Sequence, residues 1–87
     1  MSIHRLTEKQ IQIISTIRAH AEVYGVDIDM NQLIESLPYK TTKESLQFSI
    51  RALIKKGMVE KGETQTRRGR RRRTFIITAF GKTMLGM

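Results

Sequence analysis

Arg67-Arg68-Gly69-Arg70-Arg71-Arg72-Arg73-Thr74-Phe75-Ile76-Ile77-Thr78 is the stretch on which the reading of this chain turns. Six arginines within seven residues run straight into β-branched and aromatic residues that predict a strand. A free arginine tail would be a disordered polyanion-binding arm. Arginines held beside a strand can instead place their charge at fixed points along a phosphate backbone. Like charges this close repel one another and give the fold nothing, so a solvated loop that is merely basic is the weaker reading.

The excess charge is local. Before Gly62 the chain carries nine Lys and Arg against seven Asp and Glu; from Gly62 onward it carries seven against one, within a net charge of +8. Such a patch, with a pI near 10.5, points to nucleic acid. An anionic membrane is the lesser rival, because the arginine run has no apolar residue within it. Eighty-seven residues are expected to form one domain, residues 1–87, with a single core. Cysteine is absent, which excludes disulfides and thiolate metal sites. No apolar run approaches the ~20 residues of a membrane span and no signal-peptide pattern opens the chain, so a cytoplasmic, nucleoid-associated protein is expected.

Helix starts punctuate the first half. Thr7-Glu8-Lys9-Gln10 reads as a capping box flanked by Leu6 and Ile11, and Ile11, Ile14, Ile17 and Ala21 follow at helical spacing. With Ile13 and Tyr24 widening that stripe and Gly25 as a left-handed stop, helix 1 is predicted over about residues 7–24. Gln12, Thr16 and Ala19 are predicted to face solvent or a second copy, which leaves a homodimer contact open. Val26-Asp27-Ile28 is short enough for an edge strand or a linker. Asp29 to Gln32 repeats the capping pattern for helix 2, about 30–37, which Pro38 ends. Thr41-Thr42-Lys43-Glu44 repeats the Thr-x-x-Glu capping box, from Thr41 to Glu44, and opens helix 3, about 42–56, whose Leu46, Ile50, Leu53 and Ile54 form a core stripe before Gly57. Two helices joined by a four-residue turn match a helix-turn-helix unit.

With that stripe turned inward, Thr41, Glu44, Phe48, Arg51 and Lys55 share the opposite face, with Gln47 at its edge. Phe48 is the odd member. Burial under the wing or helix 1 is the favoured reading, because helices in small domains often bury more than one face; the rival is a partner contact, with a second copy or with thymine methyls. Beyond Gly57, Met58–Lys61 is expected as a strand, Gly62–Arg71 as a polar loop with a free tip, and Arg72–Thr78 as the returning strand. Phe75 and Ile77 should then share one face. Thr78 can cap a final short helix through Met84.

Three phrases carry a family resemblance: Leu6-Thr7-x-x-Gln10, Leu53-Ile54-Lys55-Lys56-Gly57-Met58-Val59-Glu60-Lys61, and Ile77-Thr78-x-x-Gly81. Over residues 6 to 85 the chain resembles the winged helix-turn-helix core of bacterial transcription regulators, most closely the multiple-antibiotic-resistance-regulator (MarR) type and its small phage- or plasmid-borne relatives. It lacks the Asp-x-Arg typical of that family's wing. The resemblance implies an α+β fold with a three-helix core, a C-terminal antiparallel hairpin wing (about 58–78) and a short final helix. It implies a repressor-like regulator of transcription that binds duplex DNA. Helix 3 would enter a major groove with Thr41, Thr42, Lys43, Gln47, Phe48, Arg51 and Lys55, and the wing would hold the backbone or a minor groove with Arg67, Arg68, Arg70, Arg71, Arg72 and Arg73. Gln47 suits adenine and Arg51 guanine.

Two other readings stay open. A basic winged helix can sit on structured RNA, and Phe48 could anchor a protein partner, as in an excision or antirepression factor. Enzymatic chemistry is not expected, nor is a cofactor. His4 and His20 are the only histidines, Ser15, Ser36, Ser45 and Ser49 have no base in a readable motif, and Asp29 is explained as a helix cap.

Overall fold

The computed structural model describes residues 6–67 and 69–86, with Arg67 described by its backbone alone. In chain order, α1 (Glu8–Tyr24) is followed by β1 (Ile28–Asp29), α2 (Met30–Ser36), α3 (Lys43–Lys55), β2 (Val59–Lys61), β3 (Gln65–Arg67), β4 (Arg70–Arg72), β5 (Thr74–Ile77) and α4 (Ala79–Leu85). The α+β class agrees with the sequence reading, as does the element order outside residues 62–73. β5 is the middle strand of an antiparallel sheet, with β1 on one side (Ile28 opposite Phe75) and β2 on the other (Val59 opposite Ile77). Val26–Ile28, left between strand and linker, thus yields the edge strand β1.

The helix starts follow from side-chain chemistry. Thr7 Oγ1 accepts from the Gln10 N–H and Gln10 Oε1 accepts from the Thr7 N–H, both at 3.1 Å; Asp29 and Gln32 do the same for α2 at 2.8 and 3.0 Å. In α3 the cap is Thr42, not Thr41, and its hydroxyl accepts from the Ser45 N–H at 3.1 Å. Glu44 therefore stands second in the helix and makes no reciprocal cap bond; it favours the start through its charge beside the positive helix end. Leu37 takes extended backbone angles before Pro38, which stops α2.

One cluster holds the elements together: Ile13, Ile14 and Ile17 of α1, Ile28, Leu33, Leu37, the α3 stripe Leu46, Ile50 and Leu53, then Met58, Val59 and Phe75. Of the residues assigned to the α1 stripe, Ala21 is half-buried and two are exposed. Ile11 is 42% exposed, because at about 3.6 residues per turn it points roughly 115° away from the mean direction of the buried isoleucines. Tyr24 has the right direction but is 68% exposed, because the last turn of α1 overhangs the core.

The larger correction concerns Gly62–Arg71, expected as a loop. It is mostly a second antiparallel ribbon, in which β3 pairs with β4, Gln65 opposite Arg72 and Arg67 opposite Arg70. Gly69, at φ 76°, supplies the left-handed residue that a tight turn between paired strands requires. The returning strand is correspondingly split by Arg73 into β4 and β5. At the split Thr74 is fully buried: its hydroxyl donates to the Glu63 carbonyl and its own carbonyl accepts from the Gly62 N–H.

The end of α3 is joined to the start of α4 by a compact set of bonds. The Met58 N–H donates to the Leu53 carbonyl and the Gly57 N–H to the Ile54 carbonyl, with Gly57 at φ 79°, the bond pattern of a Schellman stop. Thr78 closes over it, donating from its backbone N–H to the Met58 carbonyl at 3.0 Å and from its hydroxyl to the Gly57 carbonyl at 2.6 Å, while the same hydroxyl accepts from the Gly81 N–H. A Cβ on Gly81 would stand 2.5 Å from the Met58 carbonyl oxygen, whereas one on Gly86 would meet nothing closer than 3.7 Å. Gly81→Ala is therefore expected to lose about 1–3 kcal/mol in urea unfolding and Gly86→Ala to be near neutral.

Candidate nucleic-acid interface

Pro38 and the Thr42 cap bring α3 back across α2, and the joint at Gly57 sends the chain out into the β2–β5 hairpin. A cleft of about 360 Å³ opens between α3 and that hairpin. Lys43, Gln47 and Arg51, four residues apart along one side of α3, line one wall; Arg71, Arg72 and Arg73 line the other. Ile50, Ile54 and Phe75 supply apolar lining, and Asp29, buried and committed to capping α2, lies at its edge. Arg72 is half-buried, and its Nε meets no acceptor among the described residues.

Three residues of this cleft, Lys61, Met30 and Asn31, were not singled out in the sequence. Lys61 carried a signal: it stands two residues after buried Val59, so strand alternation puts it on the same sheet face just past the edge of the core. Met30 and Asn31 carried none, since only the packing of α2 brings them to the cleft.

Other candidate residues lie elsewhere. Thr41 lines a separate depression with Pro38, Tyr39 and Lys40. The Thr42 hydroxyl is occupied as the α3 cap. Lys55 and Arg70 are exposed outside the cleft lining; Arg67 is placed on β3 by its backbone, and Arg68, like His4, lies outside the described residues. Phe48 overturns the favoured core reading. It is 76% exposed, because the hairpin leaves α3 on the Lys43–Gln47–Arg51 side and never covers the outward line.

The turn before α3 is steadied from α1, where the Lys9 ammonium sits 5.5 Å from the centre of the Tyr39 ring, and burial pushes the Tyr39 phenol pKa up. Among the described residues no group of His, Asp and Glu could hold a metal ion, and no helix is long and apolar enough to cross a membrane. His20 is a half-buried boundary residue of α1, its ring 4.7 Å from that of Tyr24.

This fold has counterparts among solved structures. A PadR family transcription regulator from Clostridium difficile R20291 superposes with a TM-score of 0.69 at 15% identity, over 92% of this chain and 81% of that one. The two chains share one fold. The smu.1704 protein of Streptococcus mutans UA159 is similar with a TM-score of 0.68 at 21% identity, over 98% of this chain and 77% of that one. The sequence matches no protein-family model and no curated protein. The first neighbour is of the PadR type, whereas the phrases in the sequence resemble the MarR type.

Since the Phe48 side chain is almost as exposed folded as unfolded, Phe48→Ala should change stability by no more than about 0.5 kcal/mol. Leu46→Ala, two residues away in the core, should cost about 2–5 kcal/mol in the same urea titration.

Proposed function

We propose that this protein is a winged-helix transcription regulator that binds duplex DNA, with α3 in the major groove and the β2–β5 hairpin as a wing on the phosphate backbone or in an adjacent minor groove. One observation carries this reading: the cleft sets Lys43 and Arg51 of the helix against Arg71, Arg72 and Arg73 of the ribbon, so two elements offer cations to one duplex. Arginine suits that position better than lysine, since its planar, weakly hydrated guanidinium can fork onto phosphate or enter a narrow groove. Pairing of β3 with β4 supports it further, because a paired ribbon holds its charges in register. Gln47 and Arg51 are assigned to base readout, with adenine and guanine as their matched partners. Repression is the mode that needs least, because occupying a promoter requires no further surface. The three sequence phrases of MarR type and the PadR-like fold support the same class of activity.

Fluorescence anisotropy over a salt series tests this, with a random duplex, a matched RNA hairpin and the duplex upstream of the protein's own gene. Changing Arg70 to Arg73 together to Gln should lower the salt slope by ~0.9 for each phosphate no longer neutralised, and Gln47→Ala with Arg51→Ala should flatten sequence preference. Tighter binding to the RNA, or an unchanged slope, would move the arginines out of a DNA interface.

A second copy fits the far side of the molecule. Val23 and Tyr24 of α1 and Val26 beyond it are 72%, 68% and 48% exposed, contiguous with Ala19 and His20. α2 separates this patch from the cleft: Met30 and Asn31 look onto the cleft, Glu35 and Ser36 onto the patch. Among the described residues that line the patch there is no lysine or arginine, and the nearby Arg18 is paired with Glu22 (2.9 Å), so little there would drive two copies of a +8 chain apart. A dimer through it leaves both α3 and wing free for paired half-sites. Sedimentation equilibrium should give a dimer for the wild type and a monomer for Val23→Glu with Tyr24→Ser; a monomeric wild type would refute the surface.

A further inference from the structure

We propose that Phe48 makes α3 a reader of methyl groups at C5 of pyrimidines, so that the preferred duplex holds a methylated pyrimidine, thymine in ordinary DNA, at a fixed place in the major groove. The inference rests on the DNA-binding reading above and adds the base chemistry. At 76%, Phe48 is more exposed than Ile11, Val23, Tyr24 or Val26. At about 3.6 residues per turn it points roughly 165° from the mean direction of Leu46, Ile50 and Leu53, which places it on the outward midline of the helix. It gains nothing from the fold there, and an aromatic ring of this size gains only when something covers it.

What can cover it is set by its neighbours. Arg51 and Lys55 lie one and two turns further along the same face, and the arginine ribbon flanks the helix, so the covering surface is polyanionic. The edges of bases in a major groove offer one apolar group, the thymine methyl. Glu44, exposed one turn before Phe48, points the same way. A carboxylate and a phenyl ring are both useless toward phosphate, yet each matches a base edge, the carboxylate an exocyclic amino group and the ring a methyl. Of the outward residues of α3, Glu44 and Phe48 therefore carry base-reading chemistry beside Gln47 and Arg51, while Lys43 and Lys55 are left for the backbone.

The test starts from a duplex selected from a randomised pool by the full-length wild type. Each thymine of that duplex is replaced singly by deoxyuridine, which removes only the methyl. At the responsive position cytosine and 5-methylcytosine, each paired with guanine, are then compared. Dissociation constants are measured by anisotropy for the wild type and for Phe48→Ala, whose fold is checked by circular dichroism. At one or two positions uracil should weaken wild-type binding about fourfold, the ~0.8 kcal/mol of one buried methyl group, and 5-methylcytosine should outbind cytosine by a similar factor. Phe48→Ala should bind each methylated and unmethylated pair equally. The proposal is overturned if every uracil duplex binds the wild type as well as its parent does, or if Phe48→Ala keeps the thymine-to-uracil ratio. Should the wild type enrich no duplex over the starting pool, sequence-specific DNA binding itself fails, before any base is altered, and the proposal falls with it.

Discussion

Everything that places the arginines depends on how α3 ends. The Schellman stop at Gly57 reverses the chain with two backbone bonds, to Leu53 and Ile54, and Thr78 then locks the reversal from the far end of the hairpin by bonding the Met58 and Gly57 carbonyls. Helix and hairpin are thereby set against one another at a single point. Because Met58 is fully buried and Gly81 packs against its carbonyl, the joint cannot open without exposing core. The sequence phrases Gly57-Met58-Val59 and Thr78-x-x-Gly81, about twenty residues apart, are the two halves of this one contact.

From that joint the rest is a matter of reach. β5 lies between β1 and β2, so it is fixed by backbone bonds on both edges and by Phe75 in the core. Past Arg73 the sheet gives way to the β3–β4 ribbon, which adds no residue to the buried cluster. A ribbon with no core beneath it is free to carry like charges, since their repulsion acts on no packed neighbour. The cost of gathering arginines is low there, and it is where they stand.

The same frame divides the surface of α3. Its inward stripe is apolar, the side lining the cleft carries cations, and its midline carries Glu44 and Phe48. Only the first is buried in the core; the other two face outward. The overhanging end of α1 is a fourth surface, apolar and nearly neutral, on the other side of α2 from the cleft.

Local chemistry determined much of this protein by itself. Thr7, Asp29 and Thr78 each announce a helix start, Pro38 and Gly57 each a stop, and the spacing of Leu46, Ile50 and Leu53 orients α3; these signals act within a few residues and are legible without coordinates. The adjacency of the arginine run to a strand likewise announced a basic element, and Arg70, Arg71 and Arg72 form β4. Tertiary structure decided what depends on distant partners. Whether Gly62–Arg71 is loop or ribbon depends on strands pairing across the chain, and whether Tyr24 and Phe48 are buried depends on how far the core and hairpin extend. Met30 and Asn31 join the cleft only because α2 happens to flank it. Helical periodicity tells which way a side chain points, and only the packed neighbours determine whether anything is there to meet it.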